Sequence, residues 1–457
     1  MGLLKLEDIV QATGGRVLCG TSEKFQGISI DSRSIREGEL FVALKGDNFD
    51  GHDFINTALI SGPGALVQSY PAVLPTNKTI ILVKDTLAAL QALARYLRSK
   101  MALPVIGVTG TNGKTTTKEL VSSIFGQHHR VLKTTGNLNN HIGLPLCIAR
   151  MDGDEDIMVL EMGSNRKGDI RELCEIALPD FSVVTNVGPA HLEGFGSLEA
   201  VRDTDLEILD YVKVASINAD DGYLLEGAKK NYNGRLITYG MKNTADVYAM
   251  DIMLGTKGAG FKLCFSDKRR IAVNLQLSGA FNIYNALAAA SAADALGIGL
   301  EDIKNGLESF GGVPMRLEII EMLGALVIND VYNANPASME EALKELVRLK
   351  RKRTIAVLGD MLELGGYAQE AHKKLLRLTS DLKIDVLVAV GPEMARAAEE
   401  FKGTCYKSES SDSARSVLLS ICREGDAILI KGSRGMRMEK VLLKEDSSGI
   451  GEIKNAL

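Results

Sequence analysis

VIGVTGTNGKTTTKE, residues Val105 to Glu119, is the stretch from which the rest of the chain is read. Val105, Ile106 and Val108 form an apolar run suited to a buried parallel strand. Gly110 and Gly113 then mark a tight turn, and Lys114 with Thr115 to Thr117 opens a helical stretch. Strand, glycine-rich turn and helix N-terminus in this order form a phosphate-binding loop. The glycines let backbone N–H groups approach an anion, a lysine neutralises the terminal phosphates, and a hydroxyl at Thr115 suits a magnesium ion. Gly110, Thr111, Asn112, Gly113, Lys114, Thr115 and Thr116 are therefore the candidate nucleotide-binding residues. The strict pattern G-x-x-x-x-G-K-[ST] is missed, because Val108 stands where its first glycine belongs. The structural alternative is a Gly/Thr-rich strand-to-helix turn with no ligand.

The 457 residues exceed one ordinary core and point to about three domains, since a domain takes roughly 100–200 residues. Apolar residues at 45%, charged at 24% and only 10 prolines describe a globular chain. A net charge of -5 gives no general affinity for polyanions, which argues against a nucleic-acid partner and makes any phosphate site local. The six cysteines are scattered without a C-x-x-C pair, which fits a reducing cytoplasm. The N-terminus carries acidic residues and no long apolar core, so neither a secretory signal nor a membrane span is expected.

Outward from the loop, the pattern alternates strand and helix: Val131–Thr134, Ile157–Gly163, Phe181–Gly188, then VASINADD and LITYG. This predicts a parallel sheet wrapped by helices, with ligands at the carboxyl ends of the strands. The informative residues follow each strand. They are the turn Thr134–His141, with Thr135, Asn137, Asn139 and Asn140; then Glu161; then Asn186–Gly188 leading to His191. Glu161 is placed for a Mg²⁺ ligand and His191 ends the next strand turn, although a strand-end Glu also serves as a solvated cap and a lone His as a structural hydrogen-bonder. Tyr248–Leu277 predicts an antiparallel addition, and Ser278–Gly297 a buried helix headed by Asn282 and Asn285, which either cap it or read a nucleobase edge.

Before the loop, residues 1–84 read as a small α/β unit whose loops carry Asp31, Ser32 and Arg33, and Lys45 and Gly46; such loops suit a phosphorylated ligand or simply solvent. Asp85–Met101 predicts a helix with an Asp N-cap that leads into a central unit, 85–312. Residues 313–457 read as a second doubly wound α/β unit, with Asp360, Lys431, Ser433 and Arg434 at strand ends where a second ligand would be gripped.

The strings GTNGKTT, TTGNLNNHIGLPL, VLEMGSN, TNVGPAHLEGFGSLE, GAFNIYNALAAA, VPMRLE, YNANPASM, LGDMLELG and IKGSRGMRME, in this order, resemble the Mur ligases over nearly the whole chain. The resemblance implies three domains: a UDP-sugar domain, a central ATPase-like parallel sheet with an antiparallel addition, and a Rossmann-like ligase domain. It implies an ATP-dependent amide ligase of cytoplasmic peptidoglycan precursor synthesis, most like the branch that joins D-alanyl-D-alanine to UDP-MurNAc-tripeptide through an acyl phosphate. A sister amino-acid ligase and a catalytically weak nucleotide-binding relative are the alternatives, and a monomer is the default. By resemblance, Lys114 and Thr115 hold the ATP phosphates and Mg²⁺. Thr115, Glu161, His191 and Asp205 are the metal positions, and Asn282 contacts adenine. Arg316 and Asp330 reach the γ-phosphate and the ribose from the third domain. Asp31, Ser32, Arg33, Lys45 and Gly46 line the UDP site, with Thr135, Asn137, Asn139 and Asn140 also facing substrate.

Three residues depart from the family pattern. Asp205 stands where relatives carry a Lys that is carbamylated to bind a second Mg²⁺, so activity independent of bicarbonate is expected. Phe281 replaces a His before Asn282, and Asn329 replaces the first Asp of a pair. The third domain is expected to swing on nucleotide binding about a hinge near Gly311 and Gly312.

Overall fold

The structure, a computed structural model, describes residues 4–46, 49–71 and 73–442. Asp47 and Asn48 of the KGDNFDGH loop lie outside the described residues, as do both extremes of the chain.

Three principal sheets organise the molecule. The first has the order Arg16–Cys19, Thr79–Leu82, Gly64–Val67, Glu39–Val42, Gly27–Ser29, with only its Arg16–Cys19 edge antiparallel. That edge strand has no run of alternating apolar residues and was not expected from the sequence. The helix Thr86–Ser99 begins at Asp85, whose side chain accepts the Ala88 N–H at 2.7 Å. Its Leu90 and Leu93 share one core with Leu40 and Val42 of the first sheet and Leu146 of the central unit. The buried Arg98 on the same helix donates to the carbonyls of Ala177 and Leu178. The helix is thus a common wall of two units.

The central sheet has nine strands, and seven of them from Val131–Lys133 to Val247–Leu254 are parallel. Strand Val105–Thr109 lies between Ile157–Glu161 and Phe181–Val184, so the chain order reverses around it and opens a crevice at the carboxyl ends. Ala259–Phe265 and Arg270–Leu275 continue the sheet antiparallel, as the pattern predicts. On one face lies the helix Ala280–Ala295, whose small side chains let it sit close to the sheet and to the helix Lys114–Phe125. Its N-cap is Gly279, so Asn282 and Asn285 are not caps; both are buried inside its first turns.

The third sheet has six strands in the order Glu318–Met322, Ala325–Asp330, Asp426–Lys431, Arg353–Gly359, Val386–Val390, Thr404–Ser408, parallel except at its first pair. Ala325–Asp330 feeds the helix Pro336–Arg348, started by an Asn335–Ser338 capping box with Pro at its first position. That helix lies against the central unit. Among the described residues no helix is long and apolar enough to cross a membrane.

Candidate active site

The phosphate-binding loop is held open by two glycines in the left-handed region, Gly110 at φ 119° and Gly113 at φ 83°. A Cβ on Gly113 would stand 2.3 Å from Asn285 Oδ1, and one on Gly110 2.2 Å from Thr185 Oγ1, so no side chain fits at either place. The neighbouring strand end clamps the loop. Asn112 N–H donates to Asn186 Oδ1 at 3.1 Å, the Asn186 amide donates to the Asn112 carbonyl at 2.9 Å, and Thr185 donates to the same carbonyl at 2.7 Å. Lys114 folds back onto the loop and donates to the carbonyls of Gly110 (2.5 Å) and Thr111 (3.2 Å). Burial pushes its ammonium below the ordinary lysine range, against the pull of Asp205 and Glu161, and Arg316 adds to the depression.

A cleft of about 1220 Å³ runs over this loop. Its lining includes the loop residues 110–116, then Asn137, Asn139 and Asn140, Glu161, His191, Asp205 and Asn282 from the central unit. Arg316, Asp330, Lys431, Ser433 and Arg434 come to it from the third. Sequence candidates from both sides of a domain junction are thereby brought to one space. Asp31, Ser32, Arg33, Lys45, Gly46 and the exposed Thr135 are not in that lining. Arg33 is paired with Asp31 through two contacts of 2.9 and 2.7 Å, and Gly46 N–H closes its own loop onto the Phe49 carbonyl. Asp360 is also absent from the cleft: it accepts the amides of Glu393 and Met394 at the start of the helix Pro392–Ala397. The expectation that it grips a ligand gives way to a capping role.

Glu161 closes its strand almost fully buried. Oε1 accepts the Asn139 amide at 2.8 Å, whereas Oε2 is buried with no hydrogen-bond partner. Asp205, on the helix Leu198–Leu206, accepts from Thr109 Oγ1 at 2.9 Å. Burial pushes its carboxyl up to about 6, opposed by Lys114, Thr109, the Gly110 amide and Ser164. His191 adopts φ 50° and its Nδ1 pairs with Glu363 of the third unit. Among the described residues no three His, Cys, Asp or Glu side chains form a metal cage. A magnesium site of the nucleotide kind needs only one or two carboxylates, since phosphates and water complete it; the orphaned Glu161 oxygen fits that requirement.

From the third unit, Arg316 stacks on Tyr332, 3.9 Å from the ring centroid, with Nε buried and unpartnered. It stands between Met315 and Leu317, both at positive φ, a costly backbone for side-chain-bearing residues. Asp330 is already engaged: Lys431 donates to its Oδ2 at 2.5 Å and Leu317 N–H to its Oδ1 at 3.1 Å. Asn282 donates to the Ser278 carbonyl and accepts from Asn285, and Phe281 lines the cleft next to it. Asn329 donates to Glu318 and leaves Oδ1 buried without a partner. Sequence reasoning missed Tyr332, Asn335 and Glu363. Asn335 donates to Asn112 of the loop at 2.8 Å. Their signal was present in YNANP and GDMLELG, which were read as family marks without a task for each residue.

Three family descriptions match the chain in succession. The Mur ligase family catalytic domain matches residues 24–98, the Mur ligase middle domain 108–293, and the Mur ligase glutamate ligase domain 315–434. The UDP-N-acetylmuramoyl-tripeptide–D-alanyl-D-alanine ligase of Bacillus subtilis (strain 168) is 38% identical over 91% of this chain and 92% of its own. The ligase of the same name from Escherichia coli (strain K12) is 34% identical over 98% of both. Among solved structures, MurF from Acinetobacter baumannii superposes with a TM-score of 0.90 at 32% identity, covering 96% of this chain and 98% of that one. MurF ligase from Thermotoga maritima in complex with ADP superposes at 0.80 and 32% identity, covering 91% and 96%.

Proposed function

The chain belongs to the Mur ligase family, and from that premise we propose that it is the ATP-dependent ligase that joins D-alanyl-D-alanine to UDP-MurNAc-tripeptide. The observation that carries this reading is the convergence, in one cleft, of a phosphate-binding loop, the turn bearing Asn137 to Asn140, and Arg316 from the third domain. A ligase of this class has three substrates to assemble, and a cleft at a domain junction gives each a wall.

A carboxylate resists attack by an amine until one of its oxygens becomes a good leaving group. ATP supplies that: the tripeptide carboxylate takes the γ-phosphoryl group and ADP leaves. The dipeptide amine then attacks the acyl carbon, the amide bond forms and phosphate departs. Transfer of this kind is catalysed mainly by positioning and by charge. The loop amides and Lys114 cradle the phosphates, and Lys114 exchanges its loop carbonyls for them. Arg316, held over Tyr332, brings positive charge from the opposite side. Glu161 and the Thr115 hydroxyl would hold Mg²⁺, with His191 and Asp205 in the same cleft; when bound, the ion spreads phosphate charge as it does in other phosphoryl transfers. Asn282 and the neighbouring Phe281 are assigned to adenine, and the Arg33 and Lys45 loops to the UDP moiety. We place the reaction in the cytoplasm, in keeping with six cysteines that form no disulfide.

The test is phosphate release from ATP. It should require UDP-MurNAc-tripeptide and D-alanyl-D-alanine together. ATP binding without release in the presence of both would instead identify a nucleotide-binding relative that has lost transfer.

A further inference from the structure

Asn139 is gripped from two directions. Its backbone carbonyl accepts the Gly163 N–H at 2.8 Å, and its side-chain amide donates to Glu161 Oε1, also at 2.8 Å. A Cβ on Gly163 would come within 3.1 Å of that amide, so the two chains pass too closely for a larger residue to sit there unadjusted. Glu161 is fixed from behind as well, because its N–H donates to Thr134 Oγ1 at 2.9 Å, while the Thr134 carbonyl accepts the buried Lys118 ammonium at 2.6 Å. The only side-chain donor that these contacts bring to the Glu161 carboxylate, the Asn139 amide, is spent on Oε1. Oε2 is left buried and unpartnered. An acceptor buried in that state has lost the hydrogen bonds water gave it, and a bound cation would replace them.

We infer that Asn139 is a positioning residue for phosphoryl transfer, which locks the Glu161 carboxylate by Oε1 so that Oε2 stays free for the divalent cation. This rests on the ligase reading and gives Asn139 a task other than contact with the acceptor. Outer partners of metal-binding carboxylates orient the ligand, and losing one costs 10- to 100-fold in metal affinity or activity.

The experiment uses the full-length chain, with ADP as the probe and calorimetry at graded Mg²⁺. Asn139→Ala should raise the Mg²⁺ concentration for half-maximal ADP binding by about 10-fold or more. Metal-free ADP affinity should change less than about twofold, since the phosphate loop is untouched. In a Glu161→Gln background, Asn139→Ala should add no further shift. Unchanged Mg²⁺ dependence in Asn139→Ala, or an equal shift with and without Glu161, overturns the inference. Asn139→Ser, which keeps a polar group but withdraws the amide, is read by the same criteria if the alanine variant does not fold. Failure of the ligase reading shows separately, as absent phosphate release by the unaltered protein with both substrates, and leaves the ADP titration interpretable.

Discussion

Removing the Arg348 guanidinium should loosen the third domain from the central one. Arg348 ends the helix Pro336–Arg348 and reaches across the junction. Nη2 donates to the Gly255 carbonyl at 2.7 Å and to Ser278 Oγ at 2.8 Å, and Nη1 to the Leu254 carbonyl at 3.2 Å. Within its own domain it pairs with Glu345 at 2.6 and 2.8 Å, and Ser278 donates to the same carboxylate at 2.5 Å. Glu345 is only 4% exposed, so Arg348→Ala strands a buried charge. Breaking a fully buried pair costs about 3–5 kcal/mol; because the Arg348 side chain is a quarter exposed, a discounted figure of about 2–3 kcal/mol is appropriate. That is roughly 30- to 150-fold in the equilibrium between docked and separated domains, at about 1.4 kcal/mol per tenfold. A backbone bond spanning the same junction reports on it, since Glu193 N–H donates to the Glu363 carbonyl at 3.3 Å. Hydrogen exchange at Glu193 should accelerate by that factor in Arg348→Ala. It should fall back towards the original rate in Glu345→Ala/Arg348→Ala, where no charge is stranded. Exchange within about threefold of the unaltered protein in the single variant, or no recovery in the double, would refute the stranded-charge argument.

Gly113→Ala should abolish nucleotide binding, because its Cβ meets Asn285 and its left-handed backbone adds about 1–2 kcal/mol; retained ADP affinity by calorimetry would contradict the loop assignment. Asp220 supplies a pH dependence. Burial raises its carboxyl, but the Met241, Asn243 and Lys242 amides and the Tyr284 hydroxyl outweigh burial and hold it below the ordinary value of 3.8. Its stabilisation is therefore complete above that value and lost as pH falls through the lower folded one. Asp220→Asn should flatten this acid limb and cost about 2 kcal/mol at neutral pH, measured by urea unfolding at several pH values. Asp205 already offers a carboxylate tied to Thr109, so added bicarbonate should leave turnover unchanged; strong stimulation in the phosphate-release assay would overturn that expectation.

How much of this was legible beforehand differs by element. The glycine turn, the strand end at Glu161 and the Asp85 cap were readable because each depends on residues adjacent in sequence. The edge strand Arg16–Cys19 was not, since one antiparallel partner, Thr79–Leu82, defines it from more than 60 positions away. Asp360 looked like a ligand for the same reason that Glu161 did, as a carboxylate following an apolar strand; only the folded chain turns it towards the amides of Glu393 and Met394.

By itself, the sequence determined a strand, glycine turn and helix of phosphate-loop form at Val105–Glu119 and parallel sheets wrapped by helices, because backbone geometry and hydrophobic period are local properties. The tertiary structure alone decided which oxygen of Glu161 is spent and which is free. It also decided that Asn335 touches Asn112, and that Arg348 grips the carbonyls of Leu254 and Gly255. Those contacts join residues some 90 to 220 positions apart, and their partners are fixed by how two domains meet.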